Sequence, residues 1–308
     1  YKGPRHPQNE GIKFVVYASE EQAYEDLVAG RLDVLTRIPA EKLGSFEKEL
    51  GARALTKPGG SIMEITIPAN DANFRGEAGR LRRRALSMAV DREKIAWDIF
   101  HDRVTPANSF VAPLFGSPPP APEGADVLTY QPDRARELWE QAEKLDPFKG
   151  TFSIAFNADG GHKTWVDAVA QQVTDTLGVL AESKEFGTLK ELRREVTARH
   201  ITGAFRTIWQ AEFPDESTFL VPLFASYSSE NESGFRSTEY DELLKKVGQA
   251  KDREEAQEYY LQAQELLLEK MPAIPLWTTK AFSAYGKDII PAGYTWKPTP
   301  NYYLIHRA

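Results

Sequence analysis

An α/β fold follows from three features of the 308-residue sequence. From Pro132 onward, segments of helical and strand periodicity alternate, which builds a sheet covered by helices. Helix-start signals stand at Ser19, Asp91, Thr188 and Asp252, each just ahead of a helical apolar pattern. Branched runs such as IMEITI, set between Gly60 and Pro68, have the composition of strands. The chain is also longer than one compact core normally holds, so two cores or a split domain are expected.

Taken in order, IKFVVY (12–17) reads as a strand, and Ser19 with Gln22 forms a capping box for a helix that Gly30 stops. LDVLTRI repeats the strand pattern, PAEKLGSFEKEL suits a helix, and IMEITI completes an α/β stretch over residues 1–67. Leu81, Ala85, Leu86, Met88, Ala89 and Ile95 recur at helical spacing, with Asp91 capping a second helix after a bend. Within this pair, RLRRRA is expected to be a solvated face. Residues 105–132, including SPPPAPEGA, predict a surface excursion with little regular structure. Then come helix DRARELWEQAEKL, strand TFSIAFN, helix HKTWVDAVAQQVTDTL, strand VLAESKEF, a helix opened by the Thr188–Glu191 capping box, and strand GAFRTIWQ. Helices TEYDELLKKVGQA and DREEAQEYYLQAQELLLEK follow, ended by Met271 and Pro272, before the strand-like IPLWTT and AFSAY.

Composition excludes several classes. Thirty-eight basic and 45 acidic residues leave a net charge of −7 spread along the chain, which argues against nucleic acid as a partner. Without cysteine there are no disulfides or thiolate metal sites. No apolar run approaches the roughly 20 residues of a membrane helix. GxSxG, HExxH, GxxxxGK[ST] and GxGxxG are absent, and the five histidines are scattered without the i, i+4 spacing of helical metal ligands. Glu212 and Asp215 have a spacing open to an acid/base pair, but carboxylates three apart are common in an acidic chain.

Several segments together resemble the family 5 solute-binding proteins of ATP-driven (ABC) importers, the group that includes oligopeptide- and dipeptide-binding proteins. EEQAYEDLVAGRLDVL is similar to the family's helix and Gly-x-x-Asp turn, LRRRALSMAVDREKIAWDIF to its helix pair, and TPANSFVAP to the loop that follows. YQPDRARELWEQA, FRTIWQAEFPDESTFLVPLF, FRSTEYDELL and LEKMPAIPLW resemble later family elements, in the family's order.

The resemblance implies a periplasmic-binding-protein-like α/β lobe (type II, cluster C) with a mixed sheet flanked by helices, plus the remainder of a first lobe. Residues 1–67 and 278–308 would belong to the first lobe and 68–277 to the second, with the chain forming the C-terminal portion of a longer protein. It further implies a monomer without cofactor or enzymatic activity that captures peptides between two lobes for a membrane permease. The location would be extracytoplasmic, in the periplasm or lipid-anchored at the outer face of the cell membrane, with the signal segment absent from this chain. Other outcomes on the same scaffold are a peptide-sensing protein, a binder of a sugar or nickel chelate, and, outside the family's habit, a hydrolase using Glu212.

For site residues, the resemblance places the acid that pairs a peptide's α-amino group at Glu212, where the family carries Asp. An ammonium leaving water for a closed cleft needs such a charge-assisted bond. Trp209 would wall the cleft, although composition equally allows a strand tryptophan with its indole N–H satisfied nearby. Asp215, after Pro214 at a helix start, is assigned to capping, and Glu216 to solvent. In the polar loop SYSSENESGFR, Asn231 and Arg236 are the candidates for ligand contact at the cleft mouth.

Overall fold

The computed structural model describes residues 6–114, 121–291 and 299–308. YKGPR at the start, the SPPP segment at 117–120 and part of the returning C-terminal stretch lie outside these residues. The elements are α1 (Glu20–Val28), β1 (Val34–Leu35), α2 (Phe46–Leu50), β2 (Ala54–Thr66), α3 (Gly76–Met88), α4 (Arg92–Asp98) and β3 (Val104–Pro106). They continue with α5 (Pro132–Leu145), β4 (Phe152–Asn157), α6 (Lys163–Leu177), β5 (Ala181–Phe186), α7 (Leu189–Thr197) and β6 (Ala204–Gln210). The remainder are α8 (Ser217–Phe224), α9 (Thr238–Val247), α10 (Arg253–Lys270), β7 (Ala273–Tyr285), β8 (Ile289–Ile290) and β9 (His306–Arg307).

Seven strands form one mixed sheet in the order β1-β7-β2-β6-β4-β5, with β3 also on β7. Strands β4, β5 and β6 run parallel, while β2 is antiparallel to both β6 and β7. Parallel strands need covered crossovers, and α6 and α7 supply them. Thr188 opens α7 with the full capping box, its side chain accepting from Glu191 N and Glu191 reaching back to Thr188 N. Ser19, Asp91 and Asp252 cap α1, α4 and α10 in the same way from the N-cap side.

Apolar burial falls into separate clusters. The largest joins Ile62, Met63, Ile65 and Ile67 of β2 to Ile154 and Phe156 of β4, Trp277 of β7 and the helices around them. At its centre Trp277 packs edge-on against Trp165, with ring centroids 5.7 Å apart, and donates its indole N–H to Arg92 O at 2.9 Å. Helix α7 seals Ala155 and Phe205 on the sheet's other face. A distinct small cluster gathers Tyr24, Leu27, Leu35, Phe46 and Ala284. The break between large and small clusters falls within β2 near Pro58–Gly60, because the strand's second half is buried in the large core. Strands β2 and β7 therefore run through both clusters, and their register slips between Pro58 and Ile62. Gly59 allows the close passage there: a methyl group on it would lie 3.0 Å from the Thr279 carbonyl oxygen.

Several expectations need correction. IKFVVY makes no strand; Phe14 is 76% and Val16 96% exposed, since no neighbouring strand meets them among the described residues. PAEKLGSFEKEL breaks at Gly44–Ser45 into a single turn and the short α2. Residues 105–132 are not merely a surface excursion: β3 joins the sheet, and Phe110, Val111, Val127 and Leu128 enter the core. IPLWTT and AFSAY are one continuous strand, β7.

The RLRRRA cluster is not a solvated face. Arg82 is fully buried, donating to Asn73 O at 2.8 Å and Glu143 Oε1 at 2.9 Å, with its guanidinium over the rings of Trp139 and Phe148. Arg83 and Arg84 donate to main-chain carbonyls of Lys270 and Leu268. These arginines fasten α3 to α5 and α10, because a guanidinium can satisfy several orphan carbonyls at once.

Candidate ligand-binding cleft

Strand β6 leaves the large core beside the break in β2, where Ala211 N donates to Gly60 O at 2.9 Å. Gln210 reinforces this exit: its Nε2 donates to Gly60 O and its Oε1 accepts from Ser61 Oγ at 2.6 Å. The chain then turns through Glu212–Glu216 into α8, passing the junction of the two apolar clusters.

Thr218, in the first turn of α8 and 1% exposed, shapes this turn. Its carbonyl oxygen accepts the Trp209 indole N–H at 2.7 Å, and its hydroxyl accepts Glu212 N at 2.9 Å. The indole is half-buried against the large core. Glu212 is exposed, and its carboxylate has no hydrogen-bond or salt-bridge partner among the described residues. Phe213 beside it is also exposed.

The neighbouring acids serve structure. Asp215 Oδ1 accepts Ser217 N at 2.9 Å as α8 begins, together with the Ser217 and Tyr260 hydroxyls; the helix's N-cap position itself is Glu216. Burial disfavours the Asp215 charge, but the bonds from Ser217 and Tyr260 outweigh it and hold the pKa below the ordinary value. Glu216 is not solvated. It accepts from Gln257 at 2.8 Å and Gln264 at 2.9 Å on α10, and burial raises its pKa.

Beside Trp209 runs a small groove of about 30 Å³, bounded by β6, α7 and the loop after α8. Arg193, Arg206, Glu230 and Glu232 give it both signs of charge. Arg206, which sequence reasoning missed, donates through Nε to Asn157 Oδ1 at 2.7 Å, and burial lowers its pKa. Its signal was an arginine in the middle of an otherwise apolar strand run, AFRTIW. Glu232 is pushed up by burial.

The two loop candidates part company with this region. Asn231, expected to contact ligand, is 6% exposed and saturated by its own loop. Its Nδ2 donates to the carbonyls of Phe224, Ala225 and Phe235, and its Oδ1 accepts Ser233 Oγ and Gly234 N, leaving no free polar valence. Arg236 is exposed in a different depression, beside Ile67–Ala69 and Pro272. That position is seven residues along β2 from Gly60, roughly 23 Å at strand rise. Among the described residues, no group of three or more His, Asp or Glu side chains could hold a metal, and no helix is long and apolar enough to cross a membrane.

The family model for bacterial extracellular solute-binding proteins, family 5 Middle, matches residues 1–231. The dipeptide-binding protein DppE of Bacillus subtilis (strain 168) is 23% identical over 273 residues, covering 86% of this chain and 48% of that protein. A probable deoxycholate-binding periplasmic protein, YgiS of Escherichia coli (strain K12), is 25% identical over 296 residues, covering 90% and 51%. Among solved structures, the oligopeptide-binding protein AppA from Bacillus subtilis, in complex with a nonapeptide, superposes with a TM-score of 0.71 at 19% identity, covering 95% and 59%. The chain spans about half the length of the curated relatives it matches.

Proposed function

The chain belongs to the bacterial extracellular solute-binding proteins of family 5, and from that premise we propose that it forms part of a peptide-capturing subunit of an ABC importer, acting outside the cytoplasm as a monomer. Glu212 carries this reading: it is a carboxylate with no partner, held beside an aromatic wall at the junction of two cores. Such a group suits the ammonium terminus of a peptide, which must exchange water for a charge-assisted bond when the cleft closes. DppE, whose name gives a dipeptide as its ligand, supports the same class. Strands β2 and β7, which pass between the clusters, would be the joints about which the lobes close on ligand and present it to a permease.

Glu212 has one methylene more than the Asp of the resembling family, so its carboxylate reaches further from the main chain. That reach fits a ligand whose amine sits farther out. The YgiS likeness favours one other reading, a non-peptide amphipathic solute lying against Trp209 and Phe213.

Calorimetry with the full-length protein separates them. Glu212→Gln is expected to weaken free-amine peptides about tenfold or more, the size of one charged hydrogen bond, and to leave N-acetylated peptides unchanged. Equal loss for both peptides would remove Glu212 from amine recognition. Tight binding of a bile-acid-like solute, with none of peptide, would favour the second reading.

A further inference from the structure

The depression that holds Arg236 shares no lining residue with the groove beside Trp209. Its volume is about 240 Å³, and it lies between the end of β2, the start of α3 and the end of α10. Arg75, Arg83, Arg236 and Lys270 line it, and no carboxylate does. Lys270 is engaged by Glu269 at 2.8 Å. The three arginines have no acidic partner: Arg75 donates to Asn70 O, Arg83 to Lys270 O and Phe74 O, and Arg236 to nothing among the described residues.

Arg83 is the innermost of them. Its Nε and Nη1 are bound to carbonyls, while its Nη2 makes no hydrogen bond among the described residues. Burial lowers its pKa to about 10, and the nearby Arg80 pushes the same way. Arg83 is half-buried, and a cation withdrawn from water without a counter-charge is costly to keep. Gly76 adds a second source of positive potential, since it begins the 13-residue α3 and the N-cap, Arg75, makes no side-chain cap bond. Glu77 in that first turn does not neutralise the field, because Arg80 holds both of its carboxylate oxygens.

We propose that this depression binds a tetrahedral oxyanion of the phosphate class, free or borne on a lipid headgroup, independently of the solute taken at Glu212. A carboxylate has two oxygens in one plane and is satisfied by a single guanidinium fork. Two guanidinium groups and a helix start from α3, with a third guanidinium from the loop before α9 lining the same depression, instead match an ion with oxygens on every side and more than one charge.

The test uses the purified protein, with inorganic phosphate titrated against sodium chloride at matched ionic strength. Phosphate is expected to raise the thermal midpoint saturably and chloride is not. Arg75→Gln and Arg236→Gln, both at exposed positions, should each weaken phosphate binding about tenfold, while Glu212→Gln leaves it unchanged. Flotation with phosphatidylglycerol vesicles that phosphate displaces would assign the headgroup as source, and absence of flotation would assign the free ion. A midpoint shift no larger than that given by chloride would overturn the proposal, as would parental phosphate affinity in the Arg75→Gln/Arg236→Gln double variant.

Discussion

The indole N–H of Trp209 donates to the carbonyl oxygen of Thr218 across the turn that joins β6 to α8. Because the hydroxyl of Thr218 accepts Glu212 N, one buried residue fixes both the Trp209 indole and the main chain at Glu212. Thr218→Val keeps the shape and removes only the hydroxyl bond. It is expected to cost about 1 kcal/mol of stability by urea unfolding. In the proposed role, it should also weaken peptide binding with Glu212 intact. Unchanged stability and affinity together would show that the turn does not depend on this bond.

Asn231 gives a contrasting case. Its amide joins three carbonyls and two donors in a buried loop, so Asn231→Ala orphans several groups at once. A loss of about 2–3 kcal/mol is expected, together with faster proteolysis between Ser226 and Arg236. If stability were untouched and only ligand selectivity changed, Asn231 would act on the ligand and not on its loop.

Glu64 predicts a pH dependence. It lies mid-strand on β2, opposite Thr207 and Pro275, 1% exposed, with Oε1 making no hydrogen bond. Burial raises its pKa from 4.5 to about 8. Below the unfolded value both states hold the proton, and this group imposes no penalty. Between the two values only the folded state holds it, so stability falls as pH rises, by about 1.4 kcal/mol per unit, and the fall ends above the folded value. Glu64→Gln should therefore match the parent near pH 4 and exceed it increasingly towards pH 8. Thermal unfolding across that range checks the sign, and parallel curves for the two proteins would refute it.

His101 and Asp102, between α4 and β3, both have positive φ, 48° and 65°. His101 is exposed and sits in the left-handed region that disfavours a side chain. His101→Gly is expected to raise stability by up to about 1 kcal/mol, read as a higher denaturant midpoint at constant slope.

Much of this architecture was legible because its signals are local. The caps at Ser19, Asp91, Thr188 and Asp252 act on amides two or three residues away, and helical periodicity fixed α5, α6 and α10 closely. What depends on distant partners was not. Arg82 looked like surface because its partner Glu143 lies 61 residues on. The single strand β7 looked like two, since only pairing with β2 and β3 carries it through Thr278–Lys280. At the candidate site, Trp209 and Glu212 were legible as neighbours in one turn. Loop polarity says nothing of direction, and Arg236 lies towards α3 and α10.

The segment from Ile12 to Val16 carries the two most exposed large apolar side chains among the described residues, Val16 and Phe14. Phe14 touches Tyr302 edge-on, but its face and those of Val15 and Val16 are open, on backbone with strand-forming side chains and no paired neighbour among the described residues. Such a stretch is a template for any passing strand edge. Concentrated solutions of this chain will self-associate there first, and a Val16→Lys substitution will delay it without altering either apolar cluster.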